Sequence, residues 1–203
     1  MIAQFAFVLV TGIAAYFLYR RVSFIRQNIM IGKDHPLEEN PSQRMRNMLL
    51  VAFGQKKMFK KFIPAFLHFL IYIGFIIINM EVLEFIIDGL TGKHRIFAPL
   101  LGNAYGPIIN IFELLAVGVL FSCIIFLMRR NILKVKRFSS AEMKKWPTLD
   151  ANLILIIEII LMFAILSMNA NDQILQQKNI AGYPETGKLF FSSFLIPLFE
   201  DAS

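Results

Sequence analysis

Read from its N-terminus, the chain alternates long apolar runs with short basic stretches. Four runs are long enough to cross a bilayer: IAQFAFVLVTGIAAYFLY (2–19), FIPAFLHFLIYIGFIIINMEVLEF (62–85), PIINIFELLAVGVLFSCIIFLM (107–128) and ANLILIIEIILMFAILSM (151–168). Each approaches the ~20 residues that a hydrocarbon core of ~30 Å requires. In lipid a single segment satisfies its own backbone only as a helix, so the pattern predicts four transmembrane helices.

Composition agrees. The 203 residues are 57% hydrophobic, more apolar side chain than a soluble domain of this size can hide. The net charge of +7 would suit a nucleic-acid partner, but the basic residues sit in blocks between apolar runs rather than on one face, which excludes that reading. The single cysteine, Cys123, lies in an apolar run, so neither a disulfide framework nor a CxxC metal site can be built from this chain.

The basic blocks set the orientation. Of 21 Lys and Arg, ten lie in 20–61 and seven in 129–150, against two each in 86–106 and 169–203. By the positive-inside rule the connections 20–61 and 129–150 are cytoplasmic, which places the N-terminus outside. The first run has no basic residues before it and Arg20, Arg21 and Arg26 after it, the reverse of a cleavable signal peptide. The expected architecture is an all-α membrane protein, one transmembrane domain over 1–203 built as a bundle of four helices. The apolar tail at 189–199, within LFFSSFLIPLFEDAS, is too short to span. It is left to lie in the interface, to pack on the bundle, or to begin a truncated fifth helix.

The loops add less. In 40–62, Met45, Met48, Leu49 and Ala52 fall at helical spacing among Arg44, Arg46, Lys56, Lys57, Lys60 and Lys61, a basic amphipathic helix suited to anionic lipid or to a docked partner. In 129–150, Trp146 is expected as an interface anchor, Pro147 at a helix start and Asp150 as a helix cap. The connection 88–107, punctuated by glycine and proline, reads as a folded loop carrying a solvated His94.

Ionisable groups inside a membrane cost several kcal/mol when unpaired, so those in the spans are candidates for function. They are His68, Glu81, Glu84, Glu113 and Glu158, with Asn79 and Asn110 beside them. His68 lies roughly 9 Å, and Glu158 about 10 Å, from the cytoplasmic boundary at ~1.5 Å per residue. His68, Tyr72, Phe75 and Asn79 form one stripe of the second helix. Glu81, Glu84 and Asp88 form another, which reads as a wet helix terminus. Three roles stay open for His68: an axial haem ligand, one end of a proton path with Glu158, or a hydrogen bond between helices. A bis-histidine haem lacks its second membrane histidine, since His35 and His94 are in loops on opposite sides.

The strings RRVSFIRQNIMIGKD, LHFLIYIGFIIINMEVLEF, GLTGKHRIF and IIFLMRRNILKVKRF, in this order, carry a resemblance. The chain resembles the N-terminal membrane part of membrane-bound iron–sulfur proteins of the heterodisulfide reductase type, fused to a cytochrome b domain similar to the gamma subunit of respiratory nitrate reductase. The resemblance implies a quinone-linked oxidoreductase of the bacterial inner membrane, with b-type haem in the bundle and iron–sulfur clusters in a cytoplasmic domain. His68 matches the histidine of that family's second helix; the partner histidines of a fifth helix and the cluster cysteines have no counterpart here. The chain is therefore expected to be the membrane piece of a longer protein or complex, with His68 as candidate haem ligand and Glu158 as candidate proton carrier. The alternative expectation is a non-enzymatic membrane anchor or scaffold subunit.

Overall fold

The computed structural model describes residues 2–33, 40–54, 62–133, 135, 145–180, 182–183 and 185–200. Among them the chain is helical and contains no strand. Four helices, α1 (Ile2–Met30), α3 (Phe62–Thr91), α5 (Tyr105–Asn131) and α6 (Trp146–Gln177), carry the four apolar runs and are long enough to cross a membrane. Short helices α2 (Pro41–Met48), α4 (Ala98–Leu101) and α7 (Ile196–Phe199) complete the set. The protein is a multi-pass membrane protein in contact with lipid.

Every long helix outruns the apolar run that predicted it. Apolarity marks the part that must sit in hydrocarbon, whereas the backbone ladder continues as long as nothing breaks it. Thus α1 runs on through Arg20, Arg21 and Arg26, and α6 starts at Trp146 with Pro147 in its first turn. Asp150 lies inside α6 rather than capping it, because the helix begins one turn earlier than its apolar run.

The residues fall into two compact units, Met1–Ala65 with Gly89–Gly92, and Phe66–Asp88 with Lys93–Ser203. In the first, no residue of α1 is buried, and the Gln4 side-chain amide donates to the Leu90 carbonyl at 2.7 Å. Here α2 begins where the Asn40 side chain accepts the Ser42 N–H at 3.1 Å, and it continues through one π turn, Leu49–Phe53. Met45, Met48 and Leu49 are exposed on it, an apolar edge of the kind an interfacial helix lays into lipid. Lys56, Lys57, Lys60 and Lys61 lie outside the described residues.

In the second unit the helical period decides what is inside. Ile78 of α3, Ala116, Val119 and Cys123 of α5, and Met162, Ile165 and Leu166 of α6 form one core. Ala98, Tyr105, Ile109, Phe112 and Leu189 form a second, nearer the α3–α5 connection. The buried Leu189 and Ser192 show that the apolar tail packs on the bundle.

Small residues let α3 and α5 approach closely, as in many membrane helix pairs. A Cβ placed on Gly74 would lie 2.4 Å from Cγ2 of Val119, a β-branched side chain with little freedom to move away. Gly74→Ala should therefore destabilise the bundle by about 1–3 kcal/mol. In a thermal-melting double-mutant cycle, Val119→Ala should recover much of that loss; simple additivity would show that the two positions do not meet.

Candidate functional site

Two faces of α3 have opposite fates. Gly74, Ile78, Glu81, Glu84 and Asp88 follow one another at helical spacing and are all buried. His68, Phe75 and Asn79, about a third of a turn round the helix, are exposed. The acidic stripe is thus no wet terminus: it continues the apolar core stripe, and Glu81 and Glu84 are each 1% exposed.

Those acids surround Arg95, which follows α3 and is itself buried. Its Nε and Nη2 meet Oδ2 of Asp172 at 2.9 and 2.8 Å. Nη1 donates to the Tyr105 hydroxyl at 3.2 Å, and Nη2 to Oδ1 of Asn169 at 2.5 Å. One planar guanidinium thereby ties the α3–α4 connection to α5 and α6, a task suited to its fixed fork of donors. Burial by itself would pull the Arg95 pKa down, but Tyr105 and Asp172 outweigh it and hold the group above its ordinary value, fully charged.

The backbone is shaped to the same end. Arg95 has φ 53, a left-handed conformation that a non-glycine residue adopts only when its surroundings hold it there. Asp88 does so by accepting the N–H groups of Arg95 at 2.7 Å and Ile96 at 3.1 Å. Glu84 accepts the Phe97 N–H at 2.9 Å and the Tyr105 hydroxyl at 2.8 Å. The three acids at the end of α3 have different roles: Asp88 and Glu84 fold the connection, while Glu81 lies 3.6 Å from Nη1 of Arg95.

Glu113 of α5 holds the tail. It accepts the N–H groups of Phe191 at 3.0 Å and Ser192 at 3.3 Å, the Ser192 hydroxyl, and the Asn169 amide at 3.3 Å. Asn110, one turn earlier, accepts the Phe190 N–H at 2.9 Å and donates to the Lys188 carbonyl at 3.2 Å. Beside these contacts runs an apolar groove of about 730 Å³, lined by Pro107, Ile111, Leu114, Phe190 and Phe191 among others. His94 is half-buried, with Nε2 3.0 Å from Asp172 and its ring against Tyr183, so it belongs to this centre rather than to solvent.

Of the residues singled out in advance, His68 and Glu158 are not brought together, whereas Glu81, Glu84 and Glu113 share the centre around Arg95 and Asn169. His68 stands on the exposed face of α3, and the Asn79 amide of its stripe donates to the Phe75 carbonyl of its own helix. Glu158 is half-buried on α6, and Cys123 is buried in the α5 core. Among the described residues no hydrogen bond or ion pair joins His68 to Glu158, and no group of three or more His, Cys, Asp or Glu is placed to hold a metal ion. His35 lies outside the described residues.

A comparison with known proteins bears on this arrangement. The chain is similar to the probable iron–sulfur-binding oxidoreductase FadF of Bacillus subtilis (strain 168). The likeness runs over 118 residues at 27% identity, covering 57% of this chain and 17% of FadF, so the chain spans about a sixth of that relative's length. No family model and no solved structure matches.

Arg95 is the functional-looking residue that sequence reasoning passes over. A lone arginine in GKHRIF looks like any loop cation. The signal was in the neighbouring helix, where Glu81, Glu84 and Asp88 continue the period of Gly74 and Ile78. Acids on a core stripe require a buried cation, and Arg95 is near in sequence.

Proposed function

We propose that this chain is the membrane part of an electron-transfer oxidoreductase of the bacterial inner membrane, linking quinone in the bilayer to iron–sulfur clusters in a cytoplasmic domain or subunit. The observation that carries the reading is the likeness to FadF over 118 residues, in a chain whose four long helices suit the bilayer. The basic connections 20–61 and 129–150 face the cytoplasm in this reading and would hold the cluster-bearing part to the membrane. The groove beside α5 has the size and apolar walls of a small-molecule site, which suits an isoprenoid quinone.

A haem held wholly by the described residues does not fit. His68 is exposed on α3, and His94, the other histidine among the described residues, is paired with Asp172. In this reading His68 would help hold the haem iron only where another polypeptide segment covers that face of α3, and Glu158 would carry protons at the same end of the bundle. The test is a dithionite-reduced minus oxidised absorption spectrum of the purified complex, compared with His68→Ala. The expected result is a b-type signal that His68→Ala abolishes without altering the thermal melt. A signal that survives the substitution removes His68 as a ligand, and a colourless wild-type complex removes haem altogether.

One observation favours a second reading, a membrane anchor or scaffold subunit. The polar side chains around Arg95 and Glu113 are bonded to one another and to the backbone of the tail and loop, as a structural brace would be. Under that reading the complex would keep its electron-transfer activity elsewhere when His68 is replaced.

A further inference from the structure

We infer that Glu81 is a proton-binding site buried in the bundle, its carboxyl held as the neutral acid while the groups around Arg95 keep their present partners. The argument begins with an inventory of charge. Glu81, Glu84, Asp88, Glu113 and Asp172 are all buried, and the one buried guanidinium among them is Arg95, with His94 at the half-exposed edge. A region this poor in water does not keep so many negative charges with so little to balance them; the group with the weakest support takes up a proton instead.

The geometry identifies that group. Asp172 has two nitrogens of Arg95 and the ring of His94. Asp88 accepts two backbone N–H groups, Glu84 a backbone N–H and a phenol, and Glu113 four donors. A carboxylate with two or more such donors is stabilised in its charged form. Neither carboxyl oxygen of Glu81 has a hydrogen-bond partner among the described residues, although its side chain is fully buried. Its nearest cation contact, Nη1 of Arg95 at 3.6 Å, is longer than a hydrogen bond.

The acidic neighbours oppose a charge on Glu81. Glu84 of its own helix and Glu113 of α5 repel it. Asn169 of α6 is the exception, an amide near enough to favour the charged form, but the hydrogen bond it makes is to Glu113 and its oxygen accepts from Arg95. Tyr105 and Asp172 act on Glu81 through Arg95, whose guanidinium they hold. Arginine does not give up its protons, so Arg95 acts on Glu81 by charge alone. The protonation state of Glu81 follows from how much of that charge Asp172 claims.

The test is infrared difference spectroscopy of the full chain in lipid at neutral pH, reading the protonated-carboxyl C=O stretch and its shift in heavy water. The wild type should show the band, Glu81→Gln should lose it, and Glu158→Gln should retain at least the Glu81 component. Asp172→Asn should diminish it as well, because Arg95 is then free to support an ionised Glu81. A band untouched by Glu81→Gln, or no band in the wild type, overturns the inference. So does failure of Glu81→Gln to fold, since an amide nearly matches a neutral acid in shape and charge and should be accommodated. Should that variant prove unobtainable, a Glu81 component undiminished in Asp172→Asn contradicts the proposal independently.

Discussion

Replacing Arg95 by methionine is expected to cost the bundle about 3–5 kcal/mol, the range for removing one partner from a buried ion pair. For a domain whose whole stability is of order 5–15 kcal/mol, this removes a large share of the folding free energy. Methionine keeps most of the apolar stem, so the loss comes from the head group. Asp172 loses two donors at 2.9 and 2.8 Å, and Tyr105 and Asn169 each lose a partner. Arg95→Lys preserves the charge but offers a compact ammonium that cannot reach Asp172, Tyr105 and Asn169 together, so it should fall between the two. Thermal melting in detergent, read with protease resistance, should order the proteins wild type, Arg95→Lys, Arg95→Met. Adding Asp172→Asn to Arg95→Met should recover part of the loss by removing the stranded carboxylate, a non-additivity diagnostic of the pair. If Arg95→Met melted with the wild type, the cluster would contribute nothing to stability.

The fold class was legible because lipid leaves few choices: an apolar run of sufficient length becomes a helix, and four such runs did. The site was less legible, for a reason visible on α3. Ranking intramembrane ionisable groups by type drew attention to His68, the only imidazole in a span, whereas the structure puts it on an exposed face. The groups that meet are Glu81, Glu84 and Asp88, which looked solvated because they stand near a helix end. Nearness to an end does not make a position wet when the next segment folds back over it. Here Asp88 and Glu84 draw residues 95–97 across the end of α3 through three backbone N–H groups. No periodicity argument within one helix contains that contact, which joins a helix to its own following loop. Burial of the tail was hidden likewise, since Glu113 and the residues it holds are almost eighty positions apart.

Glu113→Ala is expected to release the tail while sparing the helices. In the folded chain this carboxylate accepts the Phe191 and Ser192 N–H groups, the Ser192 hydroxyl and the Asn169 amide. Alanine leaves them without an acceptor, and each buried polar group so stranded costs about 1–3 kcal/mol. The tail has an escape that the helices lack: by lifting off the bundle, Phe191 and Ser192 can find water or lipid headgroups, which limits the loss and localises it. Hydrogen exchange should therefore show Phe191 and Ser192 losing protection, with protection of the α5 and α6 interiors reduced far less. Glu113→Gln keeps one acceptor oxygen but turns an NH₂ toward donors, so it should give a smaller effect in the same residues. Glu158, a carboxyl of the same type on α6 without a hydrogen-bond partner among the described residues, provides the comparison. Glu158→Ala should leave the tail protected. If Glu113→Ala left exchange at Phe191 and Ser192 as slow as in the wild type, the tail would be held by its apolar contacts, Leu189 foremost, and the carboxylate would be free for another role.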